Sequence, residues 1–521
     1  MKNALLSILF LLLTSILWTQ SYNVEWGEVT SNQGKALSLM PSKKGEFYAL
    51  RWVGGRMFGG YQVSFHKDLK LIRKKKIRLT VNKSIATYEG ARVLNGKFVL
   101  FLSDKRDGNN NLFMQTFSDE LEQPEKSIKL AEYELSNNKG EFRILQSPDK
   151  KYIGVAWYIN PKRGEREVYG FKVFDSLLNL VNEGEYPLPF EANLSTINTQ
   201  IITNSGDYLM AVTEYQKNEK GMFFKNQLNY KALHVLRIND DGLQDFQIDL
   251  KERRVEAISM AIGDNNNFIV TGIYGDKGEY GIKGVFHQRI DLKTEEKIDE
   301  RFQEFEKSFI TQGWTERQIE KAKKRQTKGK GEPQLYNYIM KDITILKDGS
   351  IVGTMEQYYV QVNANTDYRT GTVSQSYYYY YNDIIAYKIN PFGDISWVKK
   401  IIKEQISSND EGLYSSYESF IDNGKVYFIF NDHIKNYDSN GKFIEHFDIY
   451  PANYSRTKNA VGLASIDLEN GNIKREAFLS RSKMNALILP KLFNVNYTTG
   501  ELIIYSIAGR KEKLGVIQFK D

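Results

Sequence analysis

The chain of 521 residues has no cysteine. Disulfides, thiolate metal sites, a cysteine nucleophile and a lipid-modified cysteine are thereby excluded, and the fold must be held by its core. Histidine is nearly as scarce: His66, His234, His287, His433 and His446 are the whole set, and no two stand at ligand spacing, so no metal site is expected. There is no large excess of one charge either. A formal net charge of +7 is mild for this length and speaks against nucleic acid as a partner. No Gly-x-Ser-x-Gly nucleophile elbow occurs. Beyond the first twenty residues no apolar run approaches the roughly 20 residues that a spanning helix needs, so no transmembrane segment is expected in the mature chain.

What the chain does have begins at its N-terminus. Met1-Lys2-Asn3, the apolar run Ala4 to Trp18 and the polar exit Thr19-Gln20-Ser21 have the plan of a secretory signal peptide. The expectation is a signal peptide over 1–21 and one mature domain over 22–521, exported to the periplasm, cell surface or medium, and not a lipoprotein.

Short apolar runs then meet tight turns again and again. The turns fall at Gly45, Asn95-Gly96, Pro148-Asp149, Asn204-Ser205-Gly206, Asp264-Asn265-Asn266, Asp348-Gly349, Asn423-Gly424 and Thr499-Gly500. Such pairs supply the positive φ of tight hairpins, and their recurrence marks a sheet-built repeat. The repeats span 35–82, 87–133, 141–188, 197–250, 255–304, 338–402, 416–480 and 487–521, each with room for four strands except the last. Its missing strand is available at Asn23 to Val29, just after the signal peptide. This pattern resembles the β-propeller superfamily and matches no specific family within it. The resemblance implies an all-β, eight-bladed ring closed by its N-terminal strand. Gly393 and Trp397 resemble the Gly-x-x-x-Trp of quinoprotein-type repeats, where the tryptophan packs between blades. The match occurs in one blade alone, so no quinone or other cofactor is expected.

Three kinds of segment depart from the repeat. Ile298, Phe302, Phe305 and Phe309 stand at intervals of 4, 3 and 4, which predicts one apolar helical stripe. Thr315 and Gln318 read as a capping box with Trp314 and Ile319 as its staple, so a helical and basic insertion is expected over 292–334, between the fifth and sixth repeats. The run Lys321 to Lys330 reads as a glycine-spaced mobile tail. Insertions between second and third strands cover 216–230, 361–381 and 435–458. In a propeller those loops and the joins between blades emerge on one face, where binding or catalysis resides.

The candidate ligand contacts are Tyr358, Tyr359, Tyr368, Tyr377, Tyr379 and Tyr381, with Lys323, Lys324 and Arg325 as steering cations. On an extended strand Tyr377, Tyr379 and Tyr381 share a face, opposite Tyr378 and Tyr380. The bland alternative packs half of them between blades. Asp104, Asp107, Asn109 and Asn111 offer oxygen ligands but are also ordinary turn residues. Two functional classes follow. One is a non-catalytic binding or scaffold protein for a protein or glycan, acting as a monomer or within a hetero-complex. The other is a propeller enzyme acting on extracellular carbohydrate, whose catalytic residues leave no linear motif.

Overall fold

The computed structural model describes residues 22–519 except 23, 33, 56–58, 136–139, 160–165, 192–193, 218–227, 240–241, 264–266, 280, 329–331, 342, 368, 446–448, 456 and 481–486. The signal-peptide segment therefore lies outside the described residues. Among these residues the backbone forms eight antiparallel sheets of four or more strands and a small two-stranded one. In chain order the sheets span 35–76, 87–134, 141–191, 195–248, 253–304, 338–408, 417–480 and 487–518.

The turns dictate the local structure. Asn95-Gly96 and Asn423-Gly424 both place two consecutive residues at positive φ, the geometry that matches the twist of a two-residue hairpin. Each of the expected turns joins the first strand of its sheet to the second, apart from Asp264-Asn265-Asn266, which lies outside the described residues.

Packing then stacks the sheets face to face. One apolar cluster fills each gap: sheets one and two around Leu50 and Phe98, two and three around Phe101 and Trp157, three and four around Phe171 and Tyr208, four and five around Leu233 and Phe268, five and six around Val285 and Tyr387, six and seven around Ala386 and Phe428. The last cluster joins sheets seven, eight and one through Phe420, Tyr505 and Phe47, so the stack returns to its start. Consecutive four-stranded meanders stacked in this way define a β-propeller. Second strands are covered on both faces, as in Lys97–Arg106, whereas the outer strand Lys70–Lys76 is exposed. Its lysines guard the sheet edge against pairing with other chains.

The two ends of the chain meet in sheet eight. Val24–Trp26 pairs antiparallel with the strand Lys511–Gln518, Val24 opposite Ile517. Tyr22 wedges against Phe420 and Tyr427 of sheet seven and donates its hydroxyl hydrogen bond to Asp422. Trp397 is buried between sheets six and seven and donates to the Leu468 carbonyl at 3.2 Å.

Helix α1, Lys307–Thr311, and helix α2, Glu316–Thr327, follow sheet five. The expected stripe is corrected in its first half. Ile298 and Phe302 lie on the fourth strand of sheet five, Lys297–Glu304, with Phe302 opposite Phe286. An interval of four residues is even, so it satisfies a strand as well as a helix, and the ladder to the third strand decides. Phe305, Phe309 and Ile310 do pack together with Trp314 against sheets five and six. The capping box forms as expected, Thr315 N–H donating to Gln318 Oε1 at 2.7 Å and Gln318 N–H to Thr315 Oγ1 at 3.3 Å. The basic run is corrected too. Lys321 to Arg325 lie inside α2, not on a glycine-spaced tail, because the cap starts a helix rich in Glu, Gln, Lys, Arg and Ala, which are good helix formers.

Candidate binding face

The long insertion of sheet six is not a loop. Its second and third strands, Ile351–Asp367 and Thr372–Ile389, keep their ladder from Tyr358 opposite Tyr381 out to Asp367 opposite Thr372. The expected loop over 361–381 is corrected to a two-stranded arm, since the ladder between the second and third strands continues without a break beyond Tyr358 and Tyr381. Register sorts its faces. Tyr358, Val360 and Val362 stand opposite Tyr381, Tyr379 and Tyr377, which makes one apolar face. Tyr359, Gln361 and Asn363 stand opposite Tyr380, Tyr378 and Ser376 on the other, more polar face. Val362 and Val373 are exposed by 49% and 59%, too much for a core role.

Ring contacts stiffen the arm near its root. Tyr359 and Tyr380 stack with centroids 4.4 Å apart, and Tyr358 meets Tyr381 at 4.6 Å. Along one edge Tyr378–Tyr380 pairs with the short strand Ile406–Ser408. Of the six tyrosines singled out from sequence, Tyr381 is a buried anchor, Tyr377 is exposed, Tyr358, Tyr359 and Tyr379 are partly exposed, and Tyr368 lies outside the described residues.

Below the arm, Lys491 donates to the Tyr381 hydroxyl at 2.8 Å and to the Glu411 carbonyl at 3.0 Å, and its ammonium lies 4.3 Å from the Tyr381 ring centre. Burial pulls the Lys491 amine down to about 8. The segment carrying Glu411 turns tightly, with Asn409, Glu411, Gly412 and Ser416 all at positive φ. Gly412 is required there, because a Cβ would come within 2.4 Å of the Tyr381 ring.

Two buried charge networks hold this region. Lys403 and Glu356 are both fully buried and meet at 2.8 Å. Lys403 also donates to the Tyr381 carbonyl and to Gln405, while Ser416 donates to the other Glu356 oxygen at 2.6 Å. Every proton of the ammonium is thus used, although burial still lowers Lys403 below the ordinary lysine range. In the second network Asp432 accepts from Arg475, from Tyr437 at 2.6 Å and from Asn436 at 2.8 Å. Burial alone would lower the Arg475 pKa, and Asp432 with Tyr437 reverses the sign. This network folds down the insertion of sheet seven.

Arg475 also donates to the Ile402 carbonyl at 2.5 Å, and Ile402 lies against Gly313 after helix α1. Lys400 donates to the Ile310 carbonyl at 3.1 Å. The helices and the sheet-seven insertion therefore flank the same end of sheet six. Lys323, Lys324 and Arg325 are exposed on α2, and no hydrogen bond, ion pair or ring contact between described residues joins them to the arm tyrosines. The sheet-four insertion falls largely in 218–227, outside the described residues.

The remaining candidates have structural explanations. Asp107 and Gly108 form a tight turn, with Asp104 paired to Arg106 at 3.1 Å and Asn109 donating to Glu132 at 3.1 Å. His66 stacks on Phe47, His234 bonds Asp245, His287 sits beside Asp299 and His433 stacks on Tyr450. His446 lies outside the described residues. No group of three or more His, Asp or Glu side chains able to hold a metal occurs among the described residues, and no described helix is long and apolar enough to cross a membrane. Sequence reasoning missed Lys491, Glu356, Lys403, Asp432 and Arg475. For Glu356, Lys403 and Asp432 the available signal was a charge set within or just after an apolar strand run, as in Ile351 to Glu356, Ile401 to Lys403 and Val426 to Asp432.

No family model matches the chain, and no curated protein matches it. Among solved structures it is similar to Sqt1 of Chaetomium thermophilum, at 9% identity over 94% of this chain and 98% of that one, with a TM-score of 0.38. It is similar to the WD40 domain of SCAP from fission yeast at 10% identity over 97% and 96%, TM-score 0.37. The polysaccharide lyase Uly1 stands at 8% identity over 97% and 94%, TM-score 0.37. The fold assignment rests on the sheet order and the ring of core clusters, not on these likenesses.

Proposed function

We propose that the chain is an exported, eight-bladed propeller, closed by its N-terminal strand, that acts as a non-catalytic binding or scaffold protein for a protein or glycan. Export rests on the sequence of residues 1–21. The observation that carries the binding role is the sheet-six arm: a rigid pair of strands with aromatic and aliphatic side chains turned to solvent. Aromatic anchors give affinity with few rotamers to freeze. Pairing along the arm and the buried Lys403–Glu356 contact at its root preorganise it. Lys323, Lys324 and Arg325 add salt-sensitive steering toward an acidic partner.

The test compares Tyr377→Ala/Tyr379→Ala with Asn95→Ala/Asn423→Ala in the opposite turns. Complexes are isolated from the native envelope and secreted fractions, and binding to a glycan array is measured in parallel. Loss of one defined partner with the arm variant alone is expected. Retention by the arm variant with loss in the turn variant rejects the reading.

A second reading, an enzyme acting on extracellular carbohydrate, is favoured by Glu418 on the first strand of sheet seven. Burial raises its carboxyl to about 7, partly offset by Lys341, in the range of a general acid. Polysaccharide turnover that is abolished by Glu418→Gln would establish it over the binding role.

A further inference from the structure

A cavity of about 520 Å³ opens where sheets eight and one meet, a size within the roughly 300–1,000 Å³ of small-molecule sites. Its walls come from three distant parts of the chain. Ser31 and Asn32 belong to the N-terminal strap, Leu413 to the segment leading into sheet seven, and Ile507 and Arg510 to the second hairpin of sheet eight. Ala36, Leu413, Leu489 and Ile507 make the wall aliphatic, while Lys35 and Arg510 are its charged lining groups among the described residues.

The carboxylate two residues beyond Arg510 on the same hairpin is already engaged. Glu512 accepts from buried Arg51 at 2.6 Å and from Tyr505 at 2.7 Å, with Thr30 at 3.4 Å on its other oxygen. That internal pair cancels itself. Arg510 pairs with no carboxylate among the described residues, and Lys35 has only a long, solvent-exposed contact with Glu411 at 3.5 Å. The cavity thus joins aliphatic walls to two cations, Arg510 without a carboxylate partner among the described residues and Lys35 held only by the exposed Glu411 contact.

We infer that this cavity binds a small organic carboxylate with an aliphatic body, its anion set between Lys35 and Arg510 and its chain against Leu413, Leu489 and Ile507. The inference stands independently of the arm. Because the walls come from both ends of the chain, a bound ligand also clamps the seam where the ring closes, and stabilises the folded state by mass action.

The test titrates the mature chain calorimetrically with octanoate, and with octanol and acetate as controls that lack the charge or the chain. Saturable binding of octanoate is expected, with both controls at least about tenfold weaker and a rise in melting temperature under octanoate alone. Arg510→Ala and Lys35→Ala each weaken octanoate about tenfold, whereas Glu411→Gln, which frees Lys35, strengthens it. Tyr379→Ala leaves it unchanged. Absence of saturable octanoate binding, equal affinity for octanol, or indifference to both cation variants overturns the inference. Loss of partner capture in Tyr377→Ala/Tyr379→Ala with octanoate binding intact separates this site from the arm.

Discussion

Sheets six and seven insert extra chain at the same topological position, between second and third strands, and treat it in opposite ways. In sheet six the strands run on and leave Val362, Val373 and Tyr377 exposed. In sheet seven the segment after His433 folds back: Asn436 and Tyr437 are buried, and Asp432 and Arg475 tie the loop to the ring. Insertions on one face are thus not equivalent. One runs on as a paired arm with an apolar face toward solvent, and the other buries polar residues at its base while leaving Ile444 and Tyr450 exposed farther out.

The comparison breaks most visibly at the buried charges. Arg475→Ala leaves Asp432 uncompensated and should cost about 3–5 kcal/mol in urea unfolding. Lys403→Met should cost a similar amount by stranding Glu356. The double change Lys403→Met/Glu356→Met should recover most of it, because a buried pair is often replaceable by apolar groups. A double variant as unstable as the single one would show that the pair is needed for geometry beyond its charge balance.

Tyr381→Ala comes next. It removes a buried ring and the hydroxyl that takes the Lys491 hydrogen bond, and should cost about 3 kcal/mol by thermal unfolding. Tyr359→Ala and Tyr380→Ala remove one stacked pair on the arm and should each cost about 1 kcal/mol. Costs of equal size at Tyr380 and Tyr381 would erase the distinction between arm and root.

Two further effects are pH-dependent. The Glu418 carboxyl is raised from 4.5 to about 7 in the fold, so its contribution to stability is full below pH 4.5 and is lost as pH rises through 7. Glu418→Gln should flatten that part of the profile. Lys491 is lowered from 10.5 to about 8. Between those values the unfolded chain holds more protons, so stability rises with pH there. Lys491→Met should abolish the rise, as read from unfolding midpoints measured at steps across pH 4 to 11.

Local chemistry made much of the architecture legible in the sequence. Positive φ at Asn95-Gly96 and Asn423-Gly424 and the capping box at Thr315 each depend on a few neighbouring residues, so the linear pattern carries them. The short strand at Val24–Trp26 was legible because the last repeat lacks one. The stripe at Ile298 and Phe302 misled, since an even spacing serves two periods and only the ladder to Phe286 chooses between them. The arm could not be told from a loop, because pairing across the chain and not composition decides whether Val360 meets Tyr379. The meetings of Lys491 with Tyr381, of Lys403 with Glu356, and of Ser31 and Lys35 with Leu489 and Arg510 around one cavity were decided by tertiary structure alone. Contacts between residues so far apart exist only once the ring brings its sheets together, and no local propensity records them.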